Sequence, residues 1–132
     1  FITFKMEKNI HILAGEVYFR IAEEENKNYE EEKEPDKRVA LRIVAAQNYF
    51  YCSVNLIEAI LAKENQHSFS HQNRSSKLRE YANLFSKEIF DLYDLVDRNQ
   101  RNKVTYRGEN GQKYENIKKL ARILIDGSKK QI

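Results

Sequence analysis

The stretch Val39–Ala62 constrains the fold most, because apolar side chains occur in it on almost every side of a helix. These residues are Val39, Leu41, Ile43, Val44, Ala45, Ala46, Tyr49, Phe50, Val54, Leu56, Ile57, Ile60 and Leu61. A helix that is apolar nearly all round is normally enclosed by other elements. The chain has one proline and four glycines, so the turns that many hairpins need are missing. The sequence therefore predicts a central helix inside an all-α protein.

The length and composition fit a single domain. The chain has 132 residues, of which 41% are apolar and 33% are charged, enough to bury one core. We expect residues 6–132 to form one antiparallel, up-and-down bundle of four or five helices. Phe1–Lys5 precede Met6, and we expect them to lie upstream of the natural start. Polar residues interrupt the most apolar stretch, so a membrane span is not expected.

Apolar spacing predicts four helices near residues 8–22, 39–62, 76–103 and 115–126, packed around the second. In the first helix the predicted buried face consists of Ile10, Leu13, Ala14, Val17 and Ile21. Residues 23–38 lack apolar periodicity, which predicts a fraying helix end and an exposed loop. The third helix is expected to begin at a serine cap, Ser75 or Ser76, and the last to end at Gly127. On the last helix, the residues expected to point inward are Ile117, Leu120, Ala121 and Leu124, and those expected to point outward are Lys118, Lys119 and Arg122.

Cys52 is the only cysteine, so neither an internal disulfide nor a cysteine-based zinc site can form. This usage fits a reducing cytoplasm, and we expect Cys52 to lie in the core. Asn48 and Asn55 flank it on one stripe of the helix. We favour hydrogen bonds across helices for these two amides; the alternatives are the floor of a cleft or a dimer seam.

The candidate site is Asp97–Gly108, where the long third helix is expected to stop. In a helix, Arg98, Arg101, Asn102 and Thr105 would share one polar face, with Tyr106 a turn beyond Asn102. Arginine forks meet phosphate oxygens two at a time, so Arg98, Arg101 and Arg107 are the candidate phosphate-binding residues. The alternative is a solvated helix end whose positive side chains complement the dipole.

Positive charge is concentrated in the last quarter of the chain. Residues 98–132 hold ten bases and three acids, a net +7, whereas residues 23–38 hold four and eight, a net −4. The whole chain carries +3. A basic segment of this kind attracts an anionic polymer. The alternative is that a lysine-rich terminal helix only keeps the protein soluble.

Two histidines are a weak indication of a metal-binding site. His67 and His71 are four residues apart in the polar segment 63–74, and only Glu64 is close by. We interpret them as loop histidines. The sequence therefore predicts no metal site and no cofactor.

The order of these features resembles the HEPN domain (higher eukaryotes and prokaryotes nucleotide-binding). An alanine- and tyrosine-rich helix, A-A-Q-N-Y-F-Y-C-S-V-N-L-I-E-A-I-L-A, leads into Ser70-His71, and a later helix ends in R-N-K-V-T-Y. The resemblance covers roughly residues 6–127. It implies a helical bundle that forms a homodimer, and we expect the two copies of Asp97–Gly108 to face a shared cleft.

The family motif is an arginine, often followed by a polar residue, with four to six residues before a histidine. Arg101 and Asn102 match its opening, and Tyr106 stands where the histidine would be. A phenol with a pKa near 10 is a poor general base at neutral pH, whereas an imidazole is well suited.

The resemblance therefore implies two functions. The first is a nucleotide- or RNA-binding protein, the partner of a minimal nucleotidyltransferase, in which the three motif residues are ligand contacts. The alternative is a metal-independent ribonuclease toxin of a toxin-antitoxin pair. In that enzyme Arg101 would stabilise phosphorane charge, Asn102 would orient the phosphate, and Tyr106 would act as a weak acid or phosphate ligand.

Overall fold

The structure, a computed structural model, describes residues 2–62, 71–80, 85–97, 101–108 and 111–131. At residues 2–7, 71–73, 101, 102, 106 and 129–131 it describes the backbone alone. The elements in these ranges are α1 (Ile2–Glu31), α2 (Pro35–Ala62), α3 (His71–Glu80), α4 (Lys87–Leu95), α5 (Arg101–Arg107) and α6 (Gln112–Gln131). All six are helices, which confirms the predicted all-α bundle, although its helices are divided differently.

Helix α1 is longer than predicted and buries a different face. It runs to Glu31, so the fraying end and loop predicted over residues 23–38 shrink to a short turn before Pro35. Its buried positions are Gly15, Ala22, Asn26 and Tyr29, at helical spacing. The expected end was wrong because apolar periodicity does not register a buried amide such as Asn26, whose Oδ1 accepts a 2.6 Å hydrogen bond from the Tyr114 hydroxyl.

The aliphatic stripe that was expected to be buried on α1 faces outward instead. Ile10 is 58% exposed, Leu13 60%, Val17 43% and Ile21 39%. Small residues at Gly15 and Ala22 allow α1 to approach α2 closely, and a Cβ on Gly15 would lie 2.7 Å from Leu56 Cδ2. Helix α1 therefore packs on α2 through small residues at close distance, and not through its larger aliphatic side chains.

Helix α2 begins at Pro35, earlier than Val39, because the turn before it supplies a cap. The Glu34 carboxylate accepts hydrogen bonds from the backbone N–H groups of Asp36 (3.2 Å) and Lys37 (2.9 Å), and proline suits the first helical position. The helix packs against α1, α5 and α6, which confirms its central position. Cys52 is fully buried, as predicted, and burial raises the pKa of its thiol to about 12.

The single helix predicted over residues 76–103 is wrong, because the described part of this stretch forms α3, α4 and the start of α5. Helix α3 begins at His71, so Ser75 and Ser76 lie inside it. Ser86 then starts α4, since its hydroxyl accepts the N–H of Ile89 at 3.2 Å. The apolar periodicity continues across this break, so it did not reveal the cap at Ser86.

A buried ion pair ties α3 to its neighbours. Arg74 Nε lies 3.3 Å from Glu58 Oε1 of α2, and Arg74 Nη1 donates to the Tyr93 hydroxyl of α4 at 3.3 Å. Only 11% of the Arg74 side chain and 8% of the Glu58 side chain are exposed. Breaking such a pair is costly because it leaves one charge buried alone.

Helix α6 is also longer than predicted at both ends. It starts after Gly111, whose φ of 73° makes the turn, and it continues through Gly127 to Gln131. Its predicted core residues Ile117, Leu120, Ala121 and Leu124 are buried. Lys118, predicted to point outward, is only 8% exposed, because it lies over the Tyr114 ring and pairs with Glu115.

A polar network joins α1 to α2 and α6. The Glu23 carboxylate accepts hydrogen bonds from the Tyr49 hydroxyl (2.8 Å) and from Arg122 (2.9 and 3.2 Å). Burial alone would raise the pKa of Glu23, but the bonds from Arg122 and Tyr49 outweigh it and lower the pKa below its ordinary 4.5.

This network predicts a stability difference that depends on pH. Because the folded pKa of Glu23 is lowered, its contribution is present above pH 4.5 and is lost as the pH falls through the folded pKa. Glu23→Gln should therefore lower the free energy of unfolding at neutral pH, by no more than about 1 kcal/mol for a pair this exposed. Urea denaturation from pH 7 to pH 3 should show the two proteins converging. Glu24→Gln, exposed on the same helix, is the control; a Glu23→Gln deficit that persists at pH 3 would contradict the assignment.

No helix within the described ranges is both long enough and apolar enough to cross a bilayer.

Candidate functional site

The predicted site falls largely on α5, a helix of two turns. Arg101 and Asn102 form its first turn, Tyr106 and Arg107 its last, and Arg98 lies outside the described residues. The helical backbone places position 106 one turn after position 102, as the sequence predicts. Of these residues, Arg107 is the one whose side chain is described, and it is exposed.

Helix α5 has one buried and one outer side. Val104 is fully buried and Thr105 is 7% exposed, whereas Lys103 is half-buried and Arg107 is exposed. Thr105, predicted to share one polar face with Arg98, Arg101 and Asn102, therefore lies on the side that packs on the bundle. The correction follows from the shortness of the helix, since two turns need an anchor on the core to hold their place.

The C-terminal end of α5 sits on the first turns of α2. Gly108 ends the helix with φ 68°, and its N–H donates to the Val104 carbonyl at 3.1 Å. A Cβ at Gly108 would lie 3.0 Å from Val39 Cγ1, so this position needs glycine for space as well as for conformation. Contact with α2 thus fixes where Arg107 emerges.

Arg42 lies about one turn after Val39 on α2, and its side chain reaches the C-terminal end of α5. Its Nη2 donates to the Gly108 carbonyl, and only 7% of the residue is exposed. Its Nε is buried and has no hydrogen-bond partner. Most buried polar groups are satisfied, so an unmatched donor on a buried cation needs an explanation.

Arg38 and Tyr29 complete the surroundings of Arg42. Arg38 Cζ lies 4.7 Å from the centre of the Tyr29 ring and Arg42 Cζ lies 5.6 Å from it, so both guanidiniums contact one ring. Arg38 Nε donates to the Tyr29 carbonyl at 3.2 Å. The ring holds two like charges close to the end of α5.

No carboxylate in the described part of the chain forms an ion pair with Arg38, Arg42 or Arg107. We call Arg38, Arg42 and Arg107 the arginine cluster. Two of its members are positioned by a ring or a carbonyl, and neither of these groups neutralises a charge. An oxyanion such as phosphate supplies both the missing charge and acceptors for unused N–H groups.

The other candidate residues lie elsewhere. His11 Nδ1 is 3.0 Å from Asn55 Oδ1, and Asn48 Nδ2 donates to Glu25 Oε1 at 2.6 Å, so both amides bond across the α1–α2 hairpin as predicted. His71 is the first residue of α3 rather than part of a loop, and His67 lies outside the described residues. Among the described side chains, therefore, no histidine joins the arginine cluster.

Arg42, Arg38 and Tyr29 were absent from the predicted site. One signal could have found Arg42, because a lone arginine in a helix that is apolar nearly all round is a buried charge that requires a partner. Tyr29 and Arg38 gave no such signal, since they lay in the segment expected to be a loop. Their proximity to α5 depends on the fold.

Comparison with protein-family models, curated proteins and solved structures found no match to this chain.

Proposed function

We propose that this chain is a HEPN-like cytoplasmic protein that binds phosphate groups of RNA or of a nucleotide where α5 meets the start of α2. The observation that carries the proposal is the buried Arg42, which has an unused Nε donor and no carboxylate partner among the described residues. Arg101, Asn102 and Tyr106 of α5 supply the other contacts that the family motif implies.

The energetics of Arg42 favour a ligand over a purely structural role. A buried donor without a partner costs about 1–3 kcal/mol, and more when the group is charged. The bond to the Gly108 carbonyl caps α5 but leaves the positive charge without an acid. A phosphate bound at the accessible part of the guanidinium balances the charge, whereas a capping role accounts for one N–H group only.

Binding without turnover fits the residue types at the motif. The phenol of Tyr106 is a poor base, and His11 bonds to Asn55 of the α1–α2 hairpin. RNA incubated with the protein and chelator should therefore stay intact. Cleavage by the wild type that is lost in Tyr106→Phe would instead identify the metal-independent ribonuclease.

The proposal includes two protein partners that the resemblance implies, a second copy of this chain and a minimal nucleotidyltransferase. The exposed aliphatic side chains of α1 support the first. The motif resemblance alone supports the second. Co-expression with a nucleotidyltransferase encoded beside this chain tests the pairing, and independent elution of the two proteins would contradict it.

Arg101→Ala tests whether Arg101 contacts phosphate specifically or only adds to the general attraction of the basic segment for RNA. If Arg101 contacts phosphate, its loss should weaken RNA or nucleotide binding by about 1–3 kcal/mol, the scale of a charge-assisted contact. Lys129→Ala, in the same basic quarter on α6, should cost much less and act through salt-sensitive attraction. Titration of labelled RNA at two salt concentrations compares them. Equal losses would mean that Arg101 is one more basic residue.

A further inference from the structure

The arginine cluster lies between an acidic stretch of the chain and a basic helix. Residues 30–37, which join α1 to α2, hold five acids and two bases, a net −3. We call them the acidic segment. Residues 101–108, which form α5 and the glycine that ends it, hold three bases and no acid, a net +3. The two flanks of the cluster therefore carry opposite charge.

Hydrogen bonds hold the acidic segment against Arg38. The Arg38 Nε donates to the Tyr29 carbonyl, just before the segment, at 3.2 Å. The Arg38 backbone N–H donates to the Glu34 carbonyl, within the segment, at 2.9 Å. These two bonds keep the carboxylates of the segment close to the Arg38 guanidinium, although none of them forms an ion pair with it in the described part of the chain.

The basic flank is held by Arg42. Its Nη2 donates to the Gly108 carbonyl at the end of α5, and Arg107 is the residue before that glycine. Lys103 lies about one turn before Arg107, so the positive charge continues along α5. A phosphodiester chain is therefore attracted along α5, whereas its continuation over the acidic segment is opposed by like charge.

The Tyr29 ring is not open to a nucleobase. Arg38 Cζ lies 4.7 Å and Arg42 Cζ 5.6 Å from its centre, and the residue is only 9% exposed. Stacking of a base needs an open aromatic face. The described side chains of the cluster are therefore suited to phosphate, whose oxygens accept hydrogen bonds from guanidinium N–H groups.

A terminal phosphate fits these surroundings better than an internal one. A phosphate monoester carries a charge of about −1.5 to −2 at neutral pH and has three acceptor oxygens. An internal phosphodiester carries a single negative charge, so it gains less from three guanidiniums. A terminal group also has the rest of its ligand on one side only, and that part can follow α5 without crossing the acidic segment.

We infer that the arginine cluster binds the terminal phosphate group of a nucleotide or of an RNA end, and that the acidic segment disfavours internal phosphodiesters. This rests on the proposed phosphate binding and specifies its class of ligand. A free nucleotide and an RNA end share this chemistry, so the experiment includes both.

Calorimetric titration compares ligands that differ only at the end. The ligands are one RNA oligonucleotide with hydroxyl groups at both ends, the same RNA with a 5′- or a 3′-phosphate, and a nucleoside diphosphate. A phosphorylated end should bind at least about tenfold more tightly than the hydroxyl-ended RNA, the effect of one charge-assisted contact. A nucleoside diphosphate that binds as tightly as the phosphorylated RNA would identify a free nucleotide as sufficient; weaker binding would identify an RNA end.

The two possible failures are distinguishable. Equal affinity for hydroxyl-ended and phosphorylated RNA, with the nucleoside diphosphate no tighter, would overturn the terminal-phosphate inference and leave the proposed phosphate binding intact. Undetectable binding of every ligand would overturn both.

Arg38→Met tests whether the preference belongs to the cluster. Without this guanidinium, phosphorylated RNA should bind at most about twice as tightly as hydroxyl-ended RNA. Arg79→Met, at an exposed position of α3, should keep the wild-type ratio. The ratio compares two ligands on one protein, so a change in stability alone does not alter it. A wild-type ratio in Arg38→Met would overturn the assignment to the cluster.

Neutralising the acidic segment tests the cause of the preference. Glu30→Gln with Glu34→Gln should raise the affinity for hydroxyl-ended RNA by at least about threefold and change that for phosphorylated RNA less. Glutamine retains the side-chain oxygen with which Glu34 caps α2. Glu16→Gln with Asp126→Asn is the control, because these exposed acids lie about 20 Å along α1 from Glu30 and along α6 from Tyr114, beyond the range of a screened charge. Equal gains in the two double variants would overturn the role of the acidic segment.

Discussion

Arg42→Met is expected to reduce binding of RNA or of a nucleotide by about 10- to 150-fold, the loss that follows from removing a hydrogen-bonded charged contact. The stability of the fold should change far less. Methionine fills most of the space of the arginine stem, and removing an unpaired buried charge opposes the loss of the bond to the Gly108 carbonyl. The free energy of unfolding should therefore shift by less than about 1 kcal/mol.

Two measurements separate this result from a structural role. Urea denaturation reports stability, and fluorescence titration with labelled RNA or a nucleotide reports affinity. Arg79→Met, an exposed arginine on α3, is the control for a lost charge alone. Weak binding with unchanged stability supports a ligand at Arg42. Loss of several kcal/mol with retained binding would assign Arg42 to capping α5.

The core of the fold was predictable because it follows from apolar periodicity. The continuous apolar run of α2 identified the central helix, and the residues expected inside α6 are buried. Periodicity failed at α1, where the buried face contains Gly15, Ala22 and Asn26 and the larger aliphatic residues are outside. Burial measures contact with a neighbour rather than hydrophobicity, so small and amide residues can form the buried face when helices pack closely.

For the candidate site, the sequence predicted the helical placement of the motif positions but not the residues of other helices that lie near them. Helical spacing correctly placed positions 102 and 106 one turn apart on α5. It could not show that Arg42, 66 residues before Gly108, bonds to the end of this helix, or that Arg38 shares the Tyr29 ring with Arg42. Contacts between distant parts of the chain depend on how the helices pack, and single-chain periodicity contains no information on that.

The close contact between α1 and α2 should show as a strong coupling between Gly15 and Leu56. Leu56→Ala should lower the free energy of unfolding by about 2–5 kcal/mol, since the side chain is almost fully buried. Gly15→Ala should also destabilise, by about 1–3 kcal/mol, because the new Cβ would meet Leu56 Cδ2 at 2.7 Å and Leu56 Cγ at 2.9 Å. Each substitution alone removes the fit between the two helices.

Together the two substitutions should cost clearly less than their sum, by at least about 1 kcal/mol. The methyl group introduced by Gly15→Ala would occupy part of the cavity left by Leu56→Ala, and alanine favours a helix over glycine by about 1 kcal/mol. Urea denaturation of the four proteins gives the coupling energy. Leu124→Ala, a buried leucine on α6 that is not among the contacts of Gly15, should be additive with Gly15→Ala. Additivity in the Leu56 pair as well would mean that α1 and α2 can separate slightly at no cost, contrary to a contact that sets their distance.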